Sequence, residues 1–441
     1  MPKPVPTLAS PVVLVGLGIS NVSVRRLLEH VGTPSSEILS FDDKGSDGAI
    51  SSPDELVRRG VRTLVVSPGY PLSKPWIADM RKRGVAVTSE IDYAARFLEN
   101  EKVVAITGSL GKSTTTSLIG EGLRASGRPY FFGGNLGFPL ADYVLGCLKG
   151  DRARADFVAL ELSSFQLECA ENLPMYLSVI SYFCSNHLER YDSLEHYYDT
   201  KRIVLDRVQE RCFTNAASPE LHGYLERRGL LKNPKVTEVK TPQSLLSRAD
   251  FDHKALVGEH NCENIAVAAE VLNALGIWTP AVKQALLAFP GLAHRMERVE
   301  IGAGKPLFIN DSKATALESV LTAIHSVLED PAFKKVSNRK LVCLVGGRDK
   351  KHPWEKLQEL QSKAASLEMV FFGECADDAF RRSGLAGTSY KTLRAALEAC
   401  RSHVSDESWV LLSPGGTSLD EFKNFEDRGR KFAEWARELW T

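Results

Sequence analysis

Apolar residues along this chain fall into short, nearly unbroken runs, and each run stops at a glycine or a polar cluster. In the first 95 residues the runs Val12–Val15, Ile38–Phe41, Thr63–Val66 and Val85–Val87 predict four strands. They end in Gly16-Leu-Gly18, Asp42-Asp43, Ser67-Pro68-Gly69 and Thr88-Ser89-Glu90, and Val22–Leu28 predicts the start of a helix. Apolar strands that each stop at a polar turn predict a parallel sheet whose ligand edge lies at the strand C-termini.

The pattern restarts twice. A second unit opens on the strand Val103–Ile106, continues with strands at Phe157–Leu160 and Leu177–Ile180 and an alanine-rich helix over Asn261–Leu275, and closes near Phe289-Pro290-Gly291. A third has strands at Pro306–Ile309, Leu341–Val345, Glu368–Phe372 and Trp409–Leu412. Their ends carry Asn310-Asp311-Ser312-Lys313, the run from Gly346 to Lys350, Gly373-Glu374, and Ser413-Pro-Gly-Gly416. Helices between parallel strands make right-handed crossovers the expectation. The fold class is therefore α/β in three domains. A Rossmann-like N-terminal domain spans 1–95, a central mononucleotide-binding domain of the phosphate-loop type 96–295, and a C-terminal Rossmann-like α/β domain 296–441.

Composition narrows the function. The 441 residues carry 55 Lys+Arg against 55 Asp+Glu, a balance that gives no reason to expect nucleic acid or an anionic membrane as partner. No apolar run approaches the ~18 residues of a bilayer span. The run Pro11–Gly16 is too short for a signal core and enters a glycine turn instead. The eight cysteines include no Cys-x-x-Cys pair, so buried thiols in a reducing, cytoplasmic setting are expected rather than a disulfide scaffold.

The densest candidate chemistry is Gly108-Ser109-Leu110-Gly111-Lys112-Ser113-Thr114. It is two residues shorter than the standard phosphate loop. A buried strand still feeds a glycine turn, and the next helix offers unpaired N–H groups at its start. Lys112 supplies a point charge for phosphates and Ser113 a hydroxyl for a magnesium ion. Glu161, just past its strand, aims a carboxylate at the same edge and suits a hard cation; a strand-end acid capping the next helix is the plainer alternative. His187 alone reads as a core or surface histidine. Lys201, one turn after Tyr197, reads by itself as a solvated lysine. In the third unit Asp311 and Lys313 suit a ribose and a phosphate or carboxylate, Lys350 and Ser418 lie on neighbouring strand ends, and His294-Arg295 sits at a domain boundary. At the N-terminus, Gly16-Leu-Gly18-Ile-Ser20-Asn21 is a broken dinucleotide fingerprint, with Asn21 in place of the third glycine and Asp42 at roughly the ribose-acid spacing. A nucleotide or sugar nucleotide fits this edge better than NAD.

Together these residues resemble the bacterial Mur ligase family over essentially the whole chain. The strings are Thr107-Gly-Ser-Leu-Gly-Lys-Ser113, Gly133-Gly-Asn-Leu-Gly137, Leu160-Glu-Leu-Ser-Ser-Phe-Gln-Leu-Glu168, Gly258-Glu-His-Asn-Cys-Glu-Asn264, Gly291-Leu-Ala-His-Arg295, Asn310-Asp-Ser-Lys-Ala-Thr315, and Ser413-Pro-Gly-Gly-Thr-Ser-Leu-Asp420 with Phe422-Lys-Asn-Phe425. The third and last are specific to the D-glutamate-adding member. The resemblance implies an ATP- and Mg2+-dependent amide ligase that joins D-glutamate to UDP-N-acetylmuramoyl-L-alanine through an acyl phosphate. It implies small-molecule partners only, no membrane insertion and a monomeric state.

It also implies roles. Ile19, Ser20, Asp42, Asp43, Ser67, Asn135 and His187 would hold the UDP substrate. Gly108 to Thr114, Asn264, Arg295, Asp311 and Lys313 would hold ATP. Thr315, Lys350, Ser418 and Phe425 would hold D-glutamate. Lys112, Glu161, His187 and Lys201 would be catalytic, with Ser113, Glu161, His187 and a carbamylated Lys201 as metal ligands. Asn186, Tyr182 and Met296 depart from the common residues at their positions. The alternative is another Mur-type ligase with a different amino acid, although the Asp-Asn-Pro-Arg string of diamino-acid ligases is absent.

Overall fold

A computed structural model describes residues 5–45, 49–184, 190–251, 256, 258, 260–349, 352–363 and 365–441. The chain divides into two compact units, Met1–Ser247 with Glu263–Leu286, and Arg248–Cys262 with Leu287–Thr441. The first holds two sheets and the second holds one.

The N-terminal sheet has strands β1 (Val12–Val15), β2 (Ile38–Phe41), β3 (Thr63–Val66) and β4 (Ala86–Thr88), all parallel, in the order β2-β1-β3-β4. The central sheet comprises β5 (Lys102–Thr107), β6 (Tyr130–Gly134), β7 (Phe157–Glu161), β8 (Met175–Ile180), β9 (Val208–Asn215) and β10 (Val236–Val239). Its order is β10-β9-β8-β5-β7-β6, again all parallel. The third sheet contains β11 (Glu297–Val299), β12 (Leu307–Asn310), β13 (Leu341–Gly346), β14 (Leu367–Phe372), β15 (Gly387–Tyr390) and β16 (Trp409–Gly415). It runs β11-β12-β16-β13-β14-β15 and is parallel except for the β11–β12 pair.

Alternation explains why the central strands are apolar on both faces. In β1, Val12 and Leu14 pack with Val24, Leu27 and Leu28 on one face, while Val13 and Val15 pack with Ile77 and Met80 on the other. In β13, Leu341, Cys343 and Val345 join one core and Val342 and Leu344 another. A strand covered on both faces must be a continuous apolar run, and such runs are what the sequence displays. Edge strands lack that requirement. Of the strands without a predicted counterpart, β6, β10, β11 and β15 lie at sheet edges and β9 is next to one; β15 reads Gly-Thr-Ser-Tyr.

Each sheet reverses its winding at one place, and such switch points open a crevice at the strand C-termini. The reversals fall at β1/β3, at β5/β8, and at β12/β16/β13. The motifs singled out in the sequence follow these strands.

Candidate active site

The glycine-lysine loop leaves β5 at its switch point and enters the helix Lys112–Ala125. Its shortness forces it against β8. The Ser181 hydroxyl donates to Leu110 O at 2.5 Å and to Thr107 O at 3.1 Å, while Ser109 N donates to Tyr182 O at 2.5 Å. Gly108 has φ 148°, and a Cβ there would lie 2.1 Å from the Ser181 hydroxyl. Gly111 has φ 81°, and a Cβ there would come within 2.9 Å of the Asn264 side chain. Both glycines are therefore required by close approach as well as by backbone angle. Asn264 belongs to the same site, since it also accepts from Thr115 at 3.3 Å. Lys112, half-buried, turns its Nζ to Ser109 O at 3.0 Å. Ser113 is buried in the first turn.

Glu161 ends β7 beside this loop and is buried. Its Oε1 accepts from Asn135 Nδ2 at 2.7 Å, and Asn135 N donates to Glu161 O at 2.9 Å. Its Oε2 is buried with no hydrogen-bond partner among the described residues. A buried carboxylate oxygen left unpaired is costly, so this atom is a candidate ligand position.

Lys201 corrects the reading that it is solvated. It is 1 % exposed in the helix Leu194–Arg207. Its Nζ donates to Gly108 O at 2.8 Å and lies 4.6 Å from the Tyr197 ring centroid. Burial, reinforced by the Lys112 cation, pushes its pKa well below the ordinary lysine range. The helical i, i+4 spacing was legible in the sequence. Which face turned inward was not, because that depends on where the helix packs.

At the N-terminal switch point Asn21 takes over from the missing glycine. Its Nδ2 donates to Val15 O at 2.9 Å, Gly16 O at 2.8 Å and Val65 O at 3.3 Å, tying the ends of β1 and β3. Ile19 is 74 % exposed beside this crevice, and Ser67 lies close under Gly16 and Gly18. Ser20 begins the helix with Ile19. Asp42 caps Lys44 N at 2.9 Å, and Asp43 accepts from Tyr70 at 2.6 Å and pairs with Lys74 at 3.2 Å.

In the C-terminal unit Asp311 is nearly buried, accepting from Ser413 at 2.9 Å and Met296 N at 3.3 Å, and burial pushes its carboxyl up to about 7. Lys313 Nζ lies 5.1 Å from the Phe425 ring, and Lys313 N donates to His294 O at 3.0 Å, which brings the Arg295 segment to the same edge. Gly415 N donates to Ala314 O at 2.9 Å, so Thr315 and buried Ser418 belong to adjoining loops. One residue absent from the sequence reading organises them. Arg428, fully buried, donates to Ser312 O at 2.8 Å, Ser312 Oγ at 3.0 Å and Gly416 O at 3.2 Å. Its position one turn before Phe432 on the inward face of the helix Phe425–Trp440 was the available signal. Ser181 was also missed, and applying the strand-end rule to β8 would have found it. His187, Asn186 and Lys350 lie outside the described residues.

Relatives decide what this geometry serves. The model of the Mur ligase middle domain matches residues 106–272. The UDP-N-acetylmuramoylalanine–D-glutamate ligase of Anaeromyxobacter dehalogenans is 33 % identical over 97 % of this chain and 97 % of its own. That of Syntrophus aciditrophicus is 34 % identical over 86 % and 83 %. The chain belongs to the UDP-N-acetylmuramoylalanine–D-glutamate ligase family. It is thus an ATP-dependent ligase of peptidoglycan precursor synthesis. Its fold is shared with the Mur ligases. The MurF ligase of Thermotoga maritima in complex with ADP superposes with TM-score 0.59 at 17 % identity, covering 87 % of this chain and 91 % of that one. The UDP-N-acetylmuramate-alanine ligase of the same organism gives 0.56 at 17 %, covering 97 % and 99 %. Among the described residues no helix is long and apolar enough to cross a membrane.

The loop geometry of this ligase gives a direct expectation. Gly108→Ala drives a methyl group into Ser181 and removes nucleotide binding, read by calorimetric titration with ADP. A variant that binds ADP as the parent does would show that the close approach is unimportant.

Proposed function

We propose that the edge formed by β5, β7 and β8 is where this ligase activates the carboxyl group of UDP-N-acetylmuramoyl-L-alanine with ATP, before D-glutamate captures it. The observation that carries this reading is that Glu161, whose Oε2 has no hydrogen-bond partner among the described residues, and Lys201 are both buried beside the Gly108–Ser113 loop. Residues 1–95 hold the uridine end through Ile19, Ser20, Asp42, Asp43 and Ser67, with Asn135 toward the diphosphate. Residues 96–295 hold ATP, and residues 296–441 hold D-glutamate through Thr315, Lys350, Ser418 and Phe425. Asn264, Arg295, Asp311 and Lys313 surround the adenosine and phosphates.

The donor set fits magnesium. Among the described residues no three His, Cys, Asp or Glu side chains converge to make a metal site of their own. Oxygen donors are present all the same: Glu161 Oε2 and the Ser113 hydroxyl. The family resemblance adds the imidazole of His187, which lies outside the described residues, and Lys201 once its amine has added carbon dioxide. That addition forms an N–C bond and releases a proton, and it requires an uncharged amine, the form that burial favours here. It converts a nitrogen cation into a carboxylate-like oxygen donor. Bound magnesium would neutralise charge on the transferring phosphoryl group.

The chain's own groups then have defined tasks. Loop N–H groups and Lys112 hold the phosphates where charge develops. The acceptor carboxylate, a poor electrophile by itself, attacks the terminal phosphorus of ATP, the bridging P–O bond breaks with ADP leaving, and an acyl phosphate forms. The D-glutamate amine attacks the carbonyl carbon, and phosphate leaves with the bonding pair. Measuring ADP release with D-glutamate, L-glutamate, L-alanine and diaminopimelate tests the assignment. Turnover is expected with D-glutamate alone, and turnover with another amino acid but not D-glutamate would overturn it.

A further inference from the structure

Among the described residues, the N-terminal and central domains are joined within the first unit by several contacts, including a shared apolar core and the Arg26–Asp142 ion pair at 2.6 Å. One set fastens the connecting helix Glu90–Ala95. Ala141 N donates to Glu90 at 2.7 Å, Asn172 donates to Asp92 from both N and Nδ2 at 2.7 and 3.0 Å, and Ser89 donates to Cys169 O at 2.5 Å. These hold the domains together through the connecting helix. Another contact is made by the side chain of Arg190. Arg190 follows His187 by three positions in sequence. Its guanidinium donates to Pro68 O at 2.9 Å and Tyr70 O at 3.3 Å, both in the loop that leaves β3 after Ser67. Its flat face lies 3.7 Å from the ring centroid of Phe165, which stands in the turn of helix just beyond Glu161. Glu168 sits 3.7 Å away to balance the charge, and Tyr191 donates to that same carboxylate at 2.8 Å. The Arg190 side chain is 13 % exposed.

We infer that Arg190 is a positioning residue that sets the separation between the loop holding the nucleotide end of the substrate and the edge where its carboxyl group is activated. This rests on the proposed placement of the uridine end on the N-terminal domain. The substrate is one covalent molecule reaching from one crevice to the other. Its reacting carboxyl is placed correctly only if the two crevices keep a fixed offset. Arg190 contacts both sides and no reacting atom. Ser67, Pro68, Tyr70, Phe165 and Arg190 line one small cavity, so Arg190 reaches both walls of the junction. Displacements near 1 Å at a reacting centre cost about 10²-fold in rate.

The test is Arg190→Met in the full-length enzyme. Methionine keeps the unbranched stem and removes both carbonyl contacts and the stacked plane. The connecting-helix contacts remain, so the melting temperature should change little. The expected result is a fall in kcat of about 10–100-fold, with KM for ATP and for D-glutamate and the directly measured affinity for UDP each within about threefold of the parent. Phe165→Leu, which removes the stacking surface alone, should give a smaller loss of kcat, and the double variant should be no slower than Arg190→Met. Such non-additivity is the signature of one shared device. An unchanged kcat, or losses of kcat, UDP affinity and ATP affinity in equal measure, would overturn the role. If Arg190→Met does not fold, Arg190→Lys serves. It keeps the charge but cannot span two carbonyls while stacking, and it should show the same kcat-only defect in milder form. UDP binding needs no turnover. A parent enzyme that fails to bind UDP would count against the placement of the substrate, whereas parental kcat in the variant would count against Arg190 alone.

Discussion

Lys112→Ala should lower kcat/KM for ATP by about 10³-fold while leaving the melting temperature near that of the parent. The lysine is half-buried at the start of its helix and its Nζ reaches Ser109 O. The turn itself is held by Ser181, by Asn264 and by the angles of Gly108 and Gly111, none of which depends on Lys112. The loss should therefore fall on charge stabilisation, where removing one preorganised donor costs about 10²–10³-fold and a full cation costs at least as much. Steady-state ADP release together with a thermal melt checks both halves. Ligation at the parental rate would remove the loop from the phosphate site.

Glu161→Gln should separate activity from stability. The substitution keeps volume and the acceptor for Asn135 but removes a negative charge whose Oε2 has no partner. Neutralising this carboxylate relieves its desolvation but also removes its attraction to Lys201, so the melting temperature should change little. The magnesium concentration for half-maximal rate should rise and kcat should fall about 10²-fold or more. A clear drop in melting temperature with the magnesium dependence unchanged would make Glu161 a structural group. A second effect follows at Lys201, because Glu161 is one of the charges that favour its protonated form. Neutralising Glu161 lowers that pKa further.

Strands such as β1, β5 and β13 were legible because each is buried on both faces, and burial on both faces writes itself as an apolar run. The phosphate loop was legible for a related reason: only glycine tolerates the approach of Ser181 to residue 108. The edge strands β6, β10, β11 and β15 were not, since an edge needs no such run. Lys201 shows the other limit. A lysine on an amphipathic helix is ordinarily solvated, and its burial against Gly108 O follows from a contact 93 residues away in sequence, which no local window contains. The role proposed for it comes from the resemblance alone. Arg428 and Arg190 were missed for the same reason, because each grips backbone oxygens, and backbone oxygens leave no mark in a sequence.

That mode of contact bears on how the family can diverge. Arg190 meets the Ser67–Tyr70 loop through the carbonyl oxygens of Pro68 and Tyr70. Every amino acid presents the same carbonyl, so substitutions in that loop leave the grip intact as long as the backbone path is kept. With the nucleotide end of the substrate placed here as proposed, a lineage is free to reshape the side chains of this loop, and so to escape an inhibitor lodged against them, without losing the Arg190 contact.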